Sequence, residues 1–241
     1  MTRNYGPLHF DQRHAQSFEA WREWWFDYLC RPNEFEAQGV PYWRLEVESR
    51  YEPFGSATRA GEALIKIFGT SSDLVSKFGR EATAEGLWKI AQALAVKYGH
   101  SLWDADADAQ VVERALAAMP RLFADTFAPH CDAAMSSSGS ETTNPINSAC
   151  YMWFDIIGLD HCDLNEITDE RIQWSLRTLT AVLEIPHLAC QESALHGLGH
   201  IAYFKKSALV RPIIREFLGR NRKIPAKLRA YAEFAAGGHV Q

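Results

Sequence analysis

Apolar residues recur at helical spacing along most of the chain. Phe18, Trp21, Trp25 and Leu29 fall at i, i+3, i+7 and i+11, and Trp24 and Tyr28 widen that stripe. The pattern predicts a first helix that ends before Pro32, its aromatic face buried as core. Thr58–Phe68 reads as a second helix stopped at Gly69, and Ser72–Phe78 as a short one with Ser72 as N-cap and Gly79 beyond its end. Over Arg80–Tyr98, Leu87, Ile90, Leu94 and Tyr98 share one side, with Gly99 at the C′ position. Ala107–Phe127 follows, and Pro120 within it should kink or divide the helix. Strand signals are scarce. The best is Tyr42–Val47, whose brief alternation Glu46 interrupts. The prediction is an all-α protein.

The run Ser136–Asn144 is the one polar, small-residue stretch. It predicts a flexible loop over 136–144 between a helical N-terminal half, 1–135, and a C-terminal half, 145–241. The C-terminal half repeats with a period of 39 residues. Ile185-Pro186 leads to Gly199-His200, and Ile224-Pro225 leads to Gly238-His239 at the same internal spacing. One step back, Ile146 leads to Asp160-His161, and Gly158 matches Gly197. Cys150, Ala189 and Leu228 occupy one place, Ile156, Leu195 and Phe234 another. Asn144-Pro145 reads as an N-cap followed by proline at the first helical position, and Pro186 and Pro225 suit the same part. Second helices lie between, over Thr168–Leu183 and Ala208–Leu218, the latter with Pro212 near its start. One such helix–turn–helix unit cannot bury its own apolar face, so neighbours must stack.

The segment from Pro225 to Ala235, with its proline, its Leu228-Arg229 pair and its small residues, resembles the first helix of a HEAT repeat. Pro186–Gly199 is similar, with Cys190 where the arginine would stand, and Ala208–Leu218 resembles the second HEAT helix. The resemblance covers 146–241 and implies HEAT-like helix pairs in an α-solenoid, a fold that usually binds partners. It supplies no catalytic residues.

Composition changes this picture little. Of 241 residues 47% are apolar and 23% charged, ordinary values for a globular protein able to bury a sizeable core. The polar opening Met1–His14 predicts no signal peptide, and no apolar run is long enough to cross a bilayer. Five cysteines, Cys30, Cys131, Cys150, Cys162 and Cys190, form no C-x-x-C. The odd number suits a reducing cytoplasm rather than a disulfide framework. Charge does matter. Lys205–Gln241 carries nine basic and two acidic residues, a net +7, leaving 16 basic against 28 acidic residues elsewhere, or −12. A basic end can meet phosphate or an acidic partner, or simply form a solvated helix face.

Glu192, His196 and His200 stand at i, i+4 and i+8, so one helical face presents a carboxylate and two imidazoles, a weak metal-ligand candidate. The repeat register separates them. His200 has counterparts in His161 and His239, which suggests a shared place at helix C-termini, where imidazoles bond the last carbonyls. His196 has none, since Ile157 and Ala235 hold its place, and Met152 and Tyr231 hold that of Glu192. Glu192 and His196 are therefore the candidate special polar pair, as ligands or as a buried hydrogen-bonded pair. His130-Cys131-Asp132 and His161-Cys162-Asp163 make a conceivable paired zinc site, but adjacent ligands rarely chelate one ion. Asp104-Ala-Asp-Ala-Asp fails as an EF-hand, with Ala109 at the turn glycine and Ala115 at the bidentate glutamate. No G-x-S-x-G, Walker loop or G-x-G-x-x-G occurs.

Three functions remain open. The leading one is a cytoplasmic protein-binding scaffold or small inhibitor of the immunity type, without catalytic activity or cofactor. The acidic body would then face a basic partner. The second is a metal-dependent hydrolase using Glu192, His196 and His200. The third is a nucleic-acid binder using Arg215, Arg222 and Arg229 on the basic end.

Overall fold

The computed structural model describes residues 17–29, 57–92, 107–137, 142–157 and 169–240. All regular structure among them is helical. The strand candidate Tyr42–Val47, the first part of the acidic run, Asp104–Asp106, and the segment His161-Cys162-Asp163 lie outside the described residues.

Helix α1 (Phe18–Glu23) passes into a π-helical turn, Trp24–Leu29. Helix α2 (Ala57–Gly69) is followed by a 3-10 turn, Ser71–Asp73, and α3 (Leu74–Phe78). Gly79, at φ 85, ends α3 in a conformation that glycine adopts without steric cost. Helix α4 is Arg80–Gln92. Helix α5 (Ala109–Leu122) is capped by Asp108, whose carboxylate accepts from the amides of Gln110 and Val111. It continues through a π-helical turn, Phe123–Phe127, into α6 (Ala128–His130). Helix α7 (Pro145–Tyr151) breaks at Met152 before α8 (Trp153–Ile156). Then come α9 (Asp169–Leu183), α10 (Leu188–Ile201), a third π-helical turn (Ala202–Lys206), α11 (Ser207–Arg220) and α12 (Ala226–Ala236).

Asn144 caps α7 through Ile146 N at 3.1 Å, with Pro145 at the first helical position as expected. The other prolines behave differently. Pro186 precedes the N-cap His187 of α10, and Pro225 is itself the N-cap residue of α12, at φ −54 and ψ 144. Pro212 sits inside α11. Pro120 does not divide its helix, because α5 runs on through Leu122. Proline lacks an N–H, so the carbonyl of Leu116, four residues back, loses its helical donor. The Thr178 hydroxyl of α9 supplies a replacement at 2.9 Å.

The helices pack in two rows. Helices α2, α5, α9 and α11 follow one another in one row; α4, α7 with α8, α10 and α12 follow in the other. Their apolar faces meet in one core that includes Trp25, Phe68, Leu87, Phe123, Trp153, Leu179, Leu195 and Leu228. The aromatic stripe of α1 belongs to it. Trp21 and Trp25 pack at 5.5 Å between ring centroids, and Trp25 Nε1 donates to Gly86 O at 3.0 Å.

Helix α10 is central. It touches α7, α8 and α12 in its own row and α9 and α11 behind. Every residue from Ala189 to Gly199 is buried. A helix buried on all sides needs small residues where neighbours approach closely. A Cβ on Gly197 would come within 2.7 Å of Leu179 and 3.0 Å of Phe154, and one on Gly199 would collide with Val240. The buried polar groups of α10 need partners too. Ser193 Oγ donates to Cys150 O at 2.5 Å, and Cys150 Sγ donates to Ala189 O at 3.7 Å, so α7 and α10 are laced reciprocally.

Candidate functional site

Glu192 and His196 are buried on α10, one turn apart. They turn to different partners. The Glu192 carboxylate accepts from the backbone amides of Ser136 (2.7 Å) and Ser137 (3.0 Å) and from the Ser137 hydroxyl (2.5 Å). The start of the polar stretch expected to be a flexible loop is thereby pinned to the core. A buried carboxylate is tolerable when such donors replace its water.

His196 lies in a separate polar cluster. Its Nδ1 is 2.7 Å from the Tyr231 hydroxyl of α12, and Tyr231 is 3.2 Å from the Tyr151 hydroxyl of α7. Its Nε2 is 3.0 Å from Nε2 of His200. His200 Nε2 is also 3.3 Å from Asp155 Oδ1 of α8. The Tyr151 ring packs on the His196 imidazole at 4.5 Å between centroids. Burial, reinforced by neighbouring His200, pushes the His196 pKa down to about 3, so its imidazole is neutral at physiological pH. Burial raises both tyrosine hydroxyls, keeping them protonated. One proton order satisfies the chain: His200 donates to His196 Nε2, His196 Nδ1–H donates to Tyr231, and Tyr231 donates to Tyr151.

One donor atom each from Asp155, His196 and His200 lies within 4.8 Å of the others. The third member of the converging set is thus Asp155, where the sequence spacing put Glu192. The physical reason is the packing of α8 against α10, together with the claim of the Ser136–Ser137 amides on Glu192. His200 does not serve as a C-terminal cap through its imidazole, which faces His196 and Asp155. His239 is exposed beyond α12, where its backbone amide, not its ring, bonds Phe234 O.

Asp155, Tyr151 and Tyr231 were not singled out from the sequence, although the 39-residue register holds a signal for them. First helices that stack side by side bring residues of neighbouring repeats within a turn of one another. Tyr231 shares the place of Glu192, one turn before that of His196, and Asp155 stands two residues before Ile157, the counterpart of His196.

A second buried cluster contains thiols. Cys131, Cys150 and Cys190 are buried and free. Burial, reinforced by the neighbouring Cys131 and Cys190 thiols, pushes the pKa of Cys150 well up. The Cys150 contact and the neighbouring His187 hold Cys190 below the usual thiol range. Cys150 and Cys190 are fully enclosed, which seals them from a substrate. His130 and Asp132 are joined by Asn144. The His130 carbonyl and the Asp132 carboxylate both accept from the Asn144 side chain.

The basic end is partly structural. Arg229 donates to the carbonyls of Asn221 and Arg222, and Arg211 to that of Ala236. Arg220 pairs with Glu184 at 2.6 Å and Glu216 at 3.5 Å. Arg215 and Arg222 are exposed. Of the three arginines proposed for nucleic acid, Arg229 therefore braces the turn between α11 and α12. Leu209 and Phe234 in this end, and Tyr203 just before it, are the large apolar side chains exposed among the described residues, at 37%, 60% and 69% exposure.

No helix among the described residues is long and apolar enough to cross a membrane. Compared with family models, curated proteins and solved structures, the chain matches none of them.

Proposed function

We propose that the protein is a helical-repeat binding protein that docks an acidic protein partner on its terminal helix pair, α11 and α12. The observation that carries this reading is that Tyr203, Leu209 and Phe234, the large apolar side chains exposed among the described residues, all fall within Tyr203–Gln241, which carries nine basic and two acidic residues, a net +7. Exposed aromatic side chains in a cation-rich segment suit a protein interface, with tyrosine as a frequent anchor. The backbone of Tyr203 lies against Gly238, one turn beyond Phe234, so the two aromatics belong to the same end of the array.

The HEAT-like reading supplies the scaffold. The side-by-side row of α7 with α8, α10 and α12, backed by α9 and α11, is an arrangement that suits stacked helix pairs. Among the described residues, the large exposed apolar side chains fall on the basic end. The favoured partner is accordingly acidic, and the inhibitor reading is kept with that change of sign.

The test compares the full chain with the double variant Tyr203→Ser/Phe234→Ser as bait in extract of the native host. The captured partner is then purified and titrated. Both side chains are exposed, so the fold should persist. The expected result is one acidic partner whose affinity falls at least about 30-fold in the variant. A partner that binds both forms equally, or no partner at all, would overturn the proposal.

A further inference from the structure

The geometry points to a divalent metal site of the zinc class formed by Nε2 of His196, Nε2 of His200 and a carboxylate oxygen of Asp155, with Tyr231 orienting His196 from behind. Its proposed ligands lie on α8 and α10, so it does not rest on the docking residues Tyr203, Leu209 and Phe234.

Three observations carry it. The first is spacing. Ligand atoms bound tetrahedrally at about 2.0–2.1 Å from zinc lie roughly 3.3 Å apart. The His196–His200 and His200–Asp155 separations are 3.0 and 3.3 Å, and all three ligand atoms lie within 4.8 Å of one another, so one ion can be reached by all three with small side-chain adjustments. The second is orientation. Two imidazoles one turn apart on α10 bring the same ring nitrogen, Nε2, together; in the metal-free chain His200 donates its Nε2 proton to His196, and a metal ion would take the place of that proton once His200 carries its proton on Nδ1. The third is the outer support. Ligating histidines almost always donate their other N–H to a fixed acceptor, and the Tyr231 hydroxyl stands 2.7 Å from His196 Nδ1, itself held by Tyr151.

Ligand chemistry sets the ion class. Two imidazoles and one carboxylate suit zinc, cobalt or ferrous iron and disfavour magnesium and calcium, which take oxygen ligands. Access is available, because the side chains of Asp155 and His200 are 23% and 17% exposed while His196 is buried behind them. Three protein ligands leave the fourth position of a tetrahedral ion to water on that exposed side, the arrangement of zinc sites that activate water.

The experiment uses the full chain, freed of metal with a chelator that is then removed. Zinc is titrated calorimetrically, and cobalt(II) is followed by visible absorption. The expected result is one zinc per chain and a tetrahedral cobalt spectrum without thiolate charge-transfer bands. His200→Gln and Asp155→Asn should each weaken zinc binding by about 100-fold or more, and Tyr231→Phe by about tenfold. His200 and Asp155 line the partly open side, so their variants should fold, which far-UV circular dichroism checks. The cobalt spectrum of the unaltered chain provides a readout that needs no variant. Absence of zinc binding overturns the site. So does binding that His200→Gln and Asp155→Asn leave unchanged, or a cobalt spectrum with thiolate bands, which would put the ion at the Cys131–Cys150–Cys190 cluster.

Discussion

Nε2 of His196 and Nε2 of His200 lie 3.0 Å apart, one turn from each other on α10, and Asp155 Oδ1 of the neighbouring α8 stands 3.3 Å from the second of them. Helical spacing alone brings the imidazoles to one face. The carboxylate arrives because α8 packs on α10.

Burial of neutral His196 makes stability pH-dependent. Its folded pKa, about 3, lies below the ordinary 6.5, so the unfolded chain binds the extra proton first. Stability is therefore lost as pH falls below 6.5, and the loss continues until about pH 3. For the metal-free chain, the stability difference between the native form and His196→Gln should shrink by about 2 kcal/mol between pH 6.5 and 5. Urea denaturation at the two pH values measures it, and a constant difference would contradict the assignment.

Thr178 and Pro120 form a compensating pair. Thr178→Val should cost about 1–3 kcal/mol by leaving the Leu116 carbonyl without a donor. In a Pro120→Ala background residue 120 regains its N–H and can serve that carbonyl, so the same substitution should cost clearly less. A double-mutant cycle by chemical denaturation reads the coupling, and additive effects would show that Thr178 acts otherwise.

Glu192 holds residues 136 and 137 through three hydrogen bonds. Glu192→Gln should destabilise the protein by about 2 kcal/mol, since charge-assisted acceptance is lost. Hydrogen exchange at the Ser136 and Ser137 amides should accelerate. Unchanged protection there would mean that the loop start is held by other contacts.

Two glycines should respond oppositely to alanine. Gly197→Ala forces a methyl against Leu179 and Phe154 and should cost about 1–3 kcal/mol. Gly219, near the end of α11, has nothing within 4 Å of a new Cβ, so Gly219→Ala should be neutral or stabilise by up to about 1 kcal/mol. Thermal unfolding of the two variants checks the ordering.

The sequence by itself determined the helical class and most helix positions in the described residues, because a 3.6-residue apolar period and local caps act within one segment. Asn144-Pro145 and Gly79 mark boundaries for that reason. Pro120 does not divide its helix, and the hydroxyl that serves the Leu116 carbonyl comes from Thr178, 58 residues further on, a partner no local pattern reveals. The same limit governs the site. Spacing along α10 grouped Glu192 with His196 and His200, and the period of 39 marked Glu192 and His196 as departures from the pattern. Only the tertiary structure decided which side chains meet. The Ser136 and Ser137 amides claim Glu192, while Asp155 and Tyr231 reach the histidines from separate helices. Hydrogen bonds and ligand sets depend on distances between segments remote in sequence, and a local periodicity carries no such distances.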